Sequence, residues 1–184
     1  GNLLGLNPER IYFYSNTLQA IAMGYLISSL LYLHTSIRTQ IIIAVALLLS
    51  FWGAMEFITI NGYGGGNYTP DGNLAEWIDR EVLGRFRDGA SVVNGETVFP
   101  DWYRYTWILS SLNFGVTVLT GTFAGYILKE KKLVQQKKLA YLLIIGSSMV
   151  AVGQIWGIWH PIIKKIWTGS MTLVSSGYCF LLMA

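Results

Sequence analysis

Residues 160–170 read HPIIKKIWTGS and set two adjacent lysines, Lys164 and Lys165, between strongly apolar stretches. Charge in such surroundings is expensive, and two arrangements account for it. The lysines can snorkel to lipid headgroups, or they can face an anionic ligand. Lys164, Trp167 and Thr168 are spaced i, i+3, i+4, so in a helix they share a face, with Ser170 nearby. If that helix begins at Ile166, the lysines sit at its positive end, where the macrodipole disfavours cations. His160, next to Pro161, has a ring suited at neutral pH to act as a base or as a structural hydrogen-bond partner.

What must position these residues is a membrane-embedded frame. The chain has 184 residues, of which 53% are hydrophobic and 12% charged, and its mean hydropathy is +0.45. That charge fraction is about half of what soluble domains carry. Five stretches have no Asp, Glu, Lys or Arg at all: residues 11–37, 39–55, 105–128, 139–163 and 166–184. A helix needs roughly 17–25 residues to cross the hydrocarbon core, so each stretch can span. The runs are continuously apolar rather than alternating, which favours helices over barrel strands. The expected fold is therefore all-α, a polytopic membrane protein with about five transmembrane helices. The lone Cys179 excludes an intrachain disulfide and a cysteine-rich metal site, and no metal is expected.

Sidedness follows from the short loops. Residues 129–138, KEKKLVQQKK, carry five lysines and one glutamate, which places them in the cytoplasm with the 34–38 link. The long loop 56–104, with eight acidic and four basic residues, then faces outward, as do Lys164 and Lys165. Within it, NGYGGGNYTPDGN reads as turns; without a preceding strand or a following Lys-Ser/Thr it does not read as a nucleotide loop. The NYT at Asn67 is sequon-like. NLAEWIDREVLG reads as a short amphipathic helix, capped by Asn73 with Glu76 at the third position and ended by Gly84. Leu74, Trp77, Ile78 and Val82 share its apolar face, opposite Glu76, Asp79 and Arg80. Such a helix lies on the membrane or lids the bundle.

Two GxxxG patterns, GTFAG at 121–125 and GQIWG at 153–157, suggest close helix packing. Asn16, Gln19, Ser110, Ser111, Asn113 and Gln154 are uncharged polar groups within the runs, suited to interhelical hydrogen bonds or to the wall of a polar cavity. Trp102, Tyr103, Tyr105, Trp107, Trp156, Trp159 and Trp167 fall near the span ends, as interfacial aromatics do.

The stretch GQIWGIWHPIIKKIWTGSMTLVSSG resembles the C-terminal region of the heparan-α-glucosaminide N-acetyltransferase family and its bacterial relatives, with their Pro-x-x-Lys-Lys-x-Trp-Thr/Ser-x-Ser pattern. NTLQAIAMGYLISSLLYL, GYGGGNYTPDGNLAEWIDREVLG and FGVTVLTGTFAGYIL are similar to three further family stretches, in the same order. The chain departs from the pattern at Ala20, where the family has Arg, and at Ile163, which often is Asn. It departs again at FPDWYRYTW, which replaces an Asp-Pro-Glu-Gly. The family's catalytic histidine lies upstream of the part resembled, and neither His34 nor His160 matches it.

The resemblance implies a single transmembrane domain, residues 1–184, forming the C-terminal part of a longer membrane acyltransferase, multi-pass and in the inner membrane if bacterial. It implies acetyl-CoA as donor and the amine of a glucosamine-type sugar as acceptor. The chemistry needs a base for the amine, donors for the thioester oxyanion and cations for an anionic group. Lys164, Lys165, Trp167, Thr168, Ser170, Asn113 and Gln19 are the candidate substrate-binding residues, with His160 a weak candidate base beside an expected upstream histidine. Membrane lipid, the amino sugar and the N-terminal part of the same protein are the expected partners; a homo-oligomer is compatible and nucleic acid is not expected. A transporter or flippase for a sugar or anionic metabolite is the alternative function, because polar residues in spans also line pathways.

Overall fold

The computed structural model describes residues 13–99 and 105–184. The chain is nearly all helical: α1 (Thr17–His34), α2 (Ile37–Phe57), α3 (Leu74–Leu83), α4 (Ser111–Lys129), α5 (Gln135–Trp156) and α6 (Gly169–Met183). Of these, α2, α4 and α5 are long and apolar enough to cross a membrane. Helix bounds differ from the charge-free runs, and side-chain caps set the starts of α1 and α2. Asn16 starts α1 by accepting the Gln19 N–H, and Ser36 starts α2 by accepting that of Thr39. The run at 139–163 is helical only to Trp156, and α5 instead reaches back through Lys137 and Lys138. Residue 11 of the first run, and Trp102 and Tyr103, lie outside the described residues.

Small residues join the helices in pairs. Ala20, Gly24 and Ser28 form a buried stripe on α1, and a Cβ on Gly24 would lie 2.8 Å from the Phe114 carbonyl oxygen of α4. Between α5 and α6 the backbones themselves approach: a Cβ on Gly146 would meet Gly177 O at 2.9 Å, and one on Gly177 would meet Gly146 O at 2.7 Å. Gly153 of GQIWG joins this seam, with Val174 Cγ2 at 2.7 Å from its notional Cβ. The expectation for GTFAG needs correction, since a Cβ on Gly121 or Gly125 would find nothing within 4 Å.

The long loop is more ordered than its composition suggested. Antiparallel hairpins pair β1 (Thr59–Ile60) with β2 (Tyr63–Gly64) and β3 (Ser91–Val93) with β4 (Glu96–Val98). Each turns on an Asn-Gly pair with positive φ at both residues, 50° and 85° at Asn61-Gly62 and 53° and 85° at Asn94-Gly95, the conformation of a type I′ turn. Helix α3 has the expected Asn73 cap and Gly84 terminus, and Leu74 and Ala75 pack with Phe51, Met55 and Ile166, so it lids the bundle.

The apolar side packs on the core through Leu74, Trp77 and Ile78 as expected, but much of the polar side is buried as well. Glu76 and Asp79 are fully buried, while Val82 is 67% exposed. Bonded partners, one on α3 and the rest beyond it, explain why these carboxylates are buried. Arg87 donates to both Glu76 oxygens at 2.6 Å and Arg80 donates to Oε1 at 2.7 Å. Asp79 accepts the Trp107 and Ile108 N–H groups at 2.7 and 3.0 Å.

Candidate functional site

A cavity of about 320 Å³ opens at the loop end of the bundle. Thr17, Ala20 and Ile21 of α1 face Phe114, Thr117 and Val118 of α4 across it; Lys164, Lys165 and Trp167 border it from the α5–α6 link, and Tyr105, Thr106 and Trp107 from the end of the loop. The walls are mainly apolar and aromatic, and among the described residues the two ammonium groups are the charges on the lining. Both lysines are exposed, and among the described residues neither has an ion-pair partner.

Local backbone decides which link residues reach this cavity. Helix α6 begins at Gly169 rather than Ile166, with Thr168 as its cap, so Lys164, Trp167 and Thr168 do not share a helical face. Trp167 has φ +51°, a left-handed conformation that a bulky residue adopts only under restraint. The restraint is visible. Its carbonyl accepts from Asn113 Nδ2 at 2.7 Å, its Nε1–H donates to Thr117 Oγ1 at 3.1 Å, and its ring meets Phe114 edge-on at 5.6 Å. The turn sends Trp167 and the lysines to the cavity and Thr168 into the link.

The remaining candidates take positioning roles within the fold. Thr168 Oγ1 donates to Pro161 O at 2.8 Å and accepts the Ile163 and Met171 N–H groups. Ser170 also donates to Pro161 O, at 3.2 Å. Both hydroxyls are buried in the link, away from the cavity lining. Asn113 acts through Trp167, and its Oδ1 is buried without a partner among the described residues. Gln19 accepts the Ser15 N–H at 2.9 Å ahead of α1. Of the polar residues in the runs, Ser110 bridges α4 to the link by donating to Ile166 O at 2.8 Å, whereas Gln154 is exposed.

His160 is a junction. Gly169 N–H donates to its Nε2 at 2.9 Å, which leaves the ring proton on Nδ1, 2.9 Å from the Tyr68 hydroxyl; Tyr68 in turn donates to Glu56 Oε2 at 3.1 Å. Burial pushes the ring pKa down to about 4. Burial, not the charge of the adjacent lysines, therefore keeps it neutral. Its one lone pair caps the first turn of α6, and the ring does not border the cavity.

Comparison of the chain with family models, curated proteins and solved structures gives no match.

Sequence reading set Glu76 and Asp79 on the polar face of α3 without a role, yet carboxylates hold the cavity's loop side. Trp107 is fixed three ways, by Asp79 at its N–H, by Asp88, which accepts its Nε1–H at 2.9 Å, and by burial at 4% exposure. Arg87 also donates to the Tyr105 carbonyl at 3.1 Å. Burial pushes the Asp79 carboxyl up to about 7, against the two backbone N–H groups and Arg87, which pull it down. The spacing of Glu76 and Asp79 on one helix face was legible; the missed signal was the Arg87-Asp88 pair that follows it.

Proposed function

We propose that the chain is part of a multi-pass membrane acyltransferase, with α1, α2, α4, α5 and α6 all spanning and the long loop on the outer side. In this reading it moves an acetyl group from acetyl-CoA to the amine of a glucosamine-type sugar. The cavity holds the acceptor: aromatic walls suit the faces of a sugar ring, and Lys164 and Lys165 take an anionic group. The observation that carries the reading is the placement of two lysines with no ion-pair partner among the described residues and a restrained Trp167 at one cavity mouth, in the segment where the family resemblance is densest. Neither histidine of the chain borders the cavity, which agrees with a base supplied from upstream. Metal plays no part in the proposal.

The decisive experiment supplies radiolabelled acetyl-CoA and an amino sugar to the active protein in membranes. Label on the sugar nitrogen supports transfer; an unmodified sugar moved across the membrane identifies a transporter instead. Orientation has its own test. In a Cys179→Ser background, Glu81→Cys should react with an impermeant maleimide in intact cells and Gln135→Cys should not. The reverse pattern inverts the assigned sides.

A further inference from the structure

At the opposite, lysine-rich end of the bundle, α1 and α4 part to leave a groove of about 450 Å³. Its lining is unusually rich in hydroxyls for a surface between two apolar helices: Tyr25, Ser29 and Tyr32 from α1 meet Thr122 and Tyr126 from α4. Tyr32 and Tyr126 stack with centroids 5.7 Å apart, and Lys129 stands at the rim. The floor includes Gly125, the glycine whose notional Cβ touches nothing. A glycine inside a helix costs about 1 kcal/mol relative to alanine, and here no neighbouring helix uses the space. What the missing side chain leaves is the groove.

We infer that this groove binds an anionic phospholipid of the leaflet on the lysine-rich side. Lys129 and the adjacent Tyr hydroxyls meet the phosphate, Ser29 and Thr122 meet the glycerol esters, and Tyr25 and Val118 flank the first acyl carbons. Depth fits this occupant: Tyr25 and Tyr32 are seven residues apart on α1, about 10 Å of helix rise, the distance from headgroup into upper chain. Access fits as well. Tyr25 is 62%, Tyr32 50% and Leu33 71% exposed, so the groove opens on the flank of the bundle, where lipid arrives from the side. Charge is complementary, since five lysines in residues 129–138 draw anionic headgroups to this end. The inference uses the membrane orientation proposed above but none of its chemistry.

Native mass spectrometry of the full chain in detergent, titrated with phosphatidylglycerol or phosphatidylcholine and without acetyl-CoA, tests it independently of any transferase activity. Phosphatidylglycerol should bind at least tenfold more tightly, and Gly125→Leu and Lys129→Gln should each remove most of that preference with helicity unchanged by circular dichroism. Lys131→Gln, outside the groove, should change it less than twofold. Equal affinity for the two lipids, indifference to Gly125→Leu, or displacement of the lipid by millimolar inorganic phosphate would each overturn the assignment; the last would mark a site for a soluble phosphate.

Discussion

Two groups of charge lie at the loop end of the bundle and are built in opposite ways. Glu76 and Arg87 are almost wholly buried and joined by paired bonds of 2.6 Å. Lys164 and Lys165 are exposed at a cavity mouth and meet no carboxylate among the described residues. A buried ion stripped of its partner has neither water nor countercharge, so the first group organises the fold. An exposed ammonium keeps its hydration until an anion replaces it, so the second remains available to bind. Net charge alone would not separate them; burial and pairing do.

The largest effect should come from breaking the buried pair. Arg87→Met leaves the buried Glu76 with Arg80 alone and its Oε2 without a partner, and should lower unfolding stability in detergent by about 3 kcal/mol, with much of the loss recovered in Glu76→Gln/Arg87→Met. A single variant as stable as the parent would erase the contrast. Next come the lysines. In the catalytically active protein, Lys164→Gln with Lys165→Gln should raise the Michaelis constant for one anionic substrate roughly ten- to 150-fold, about 1.5–3 kcal/mol, while the melting temperature stays nearly constant. Unchanged kinetics would return both lysines to the lipid headgroups.

Smaller effects probe the groups between. His160→Ala removes a cap from α6 and should cost about 1 kcal/mol of stability, while the transfer rate per folded molecule falls less than tenfold. A rate loss of several orders of magnitude in folded protein would make His160 the base. Asp79 should give a pH-dependent signature instead of a fixed loss. Its folded pKa lies above the unfolded value, so the contribution of its neutral carboxyl to stability is complete below about pH 4 and declines as pH rises through about 7. Asp79→Asn should flatten that slope, as read from melting temperatures between pH 4 and 8; an identical slope would assign it to another group.

Helical class and approximate helix positions were legible because long apolar runs leave the backbone few alternatives. Helix α3 was legible at both ends, since Asn73 and Gly84 act locally, and in the packing of Leu74, Trp77 and Ile78, but not in the burial of Glu76 and Asp79. That burial depends on Arg87 and on backbone N–H groups at Trp107 and Ile108, which sequence spacing does not bring together. The Asn-Gly turns could have revealed both hairpins; their strands are too short to show alternation. Small residues four apart on α1, Ala20, Gly24 and Ser28, signalled a packing face that went unread, whereas GTFAG signalled one that is absent. At the site, the lysines and Trp167 were legible by type. The left-handed turn that divides Trp167 from Thr168 was not, because it is imposed by Asn113, Thr117 and Phe114 on another helix.

The glycine contacts also bear on motion. Gly24 and Gly115 lock α1 to α4, and Gly146, Gly153 and Gly177 lock α5 to α6, each through contacts with no slack for a methyl group. The cavity has walls from both pairs, Thr17 and Phe114 on one and the Lys164–Trp167 turn on the other. Its width is then set by the angle at which two stiff helical forks meet. The bonds of Ser110 and Asn113 to the link and of Trp167 to Thr117 pin that angle, so a ligand bridging the lysines to the α1–α4 wall meets a gap already set to its size.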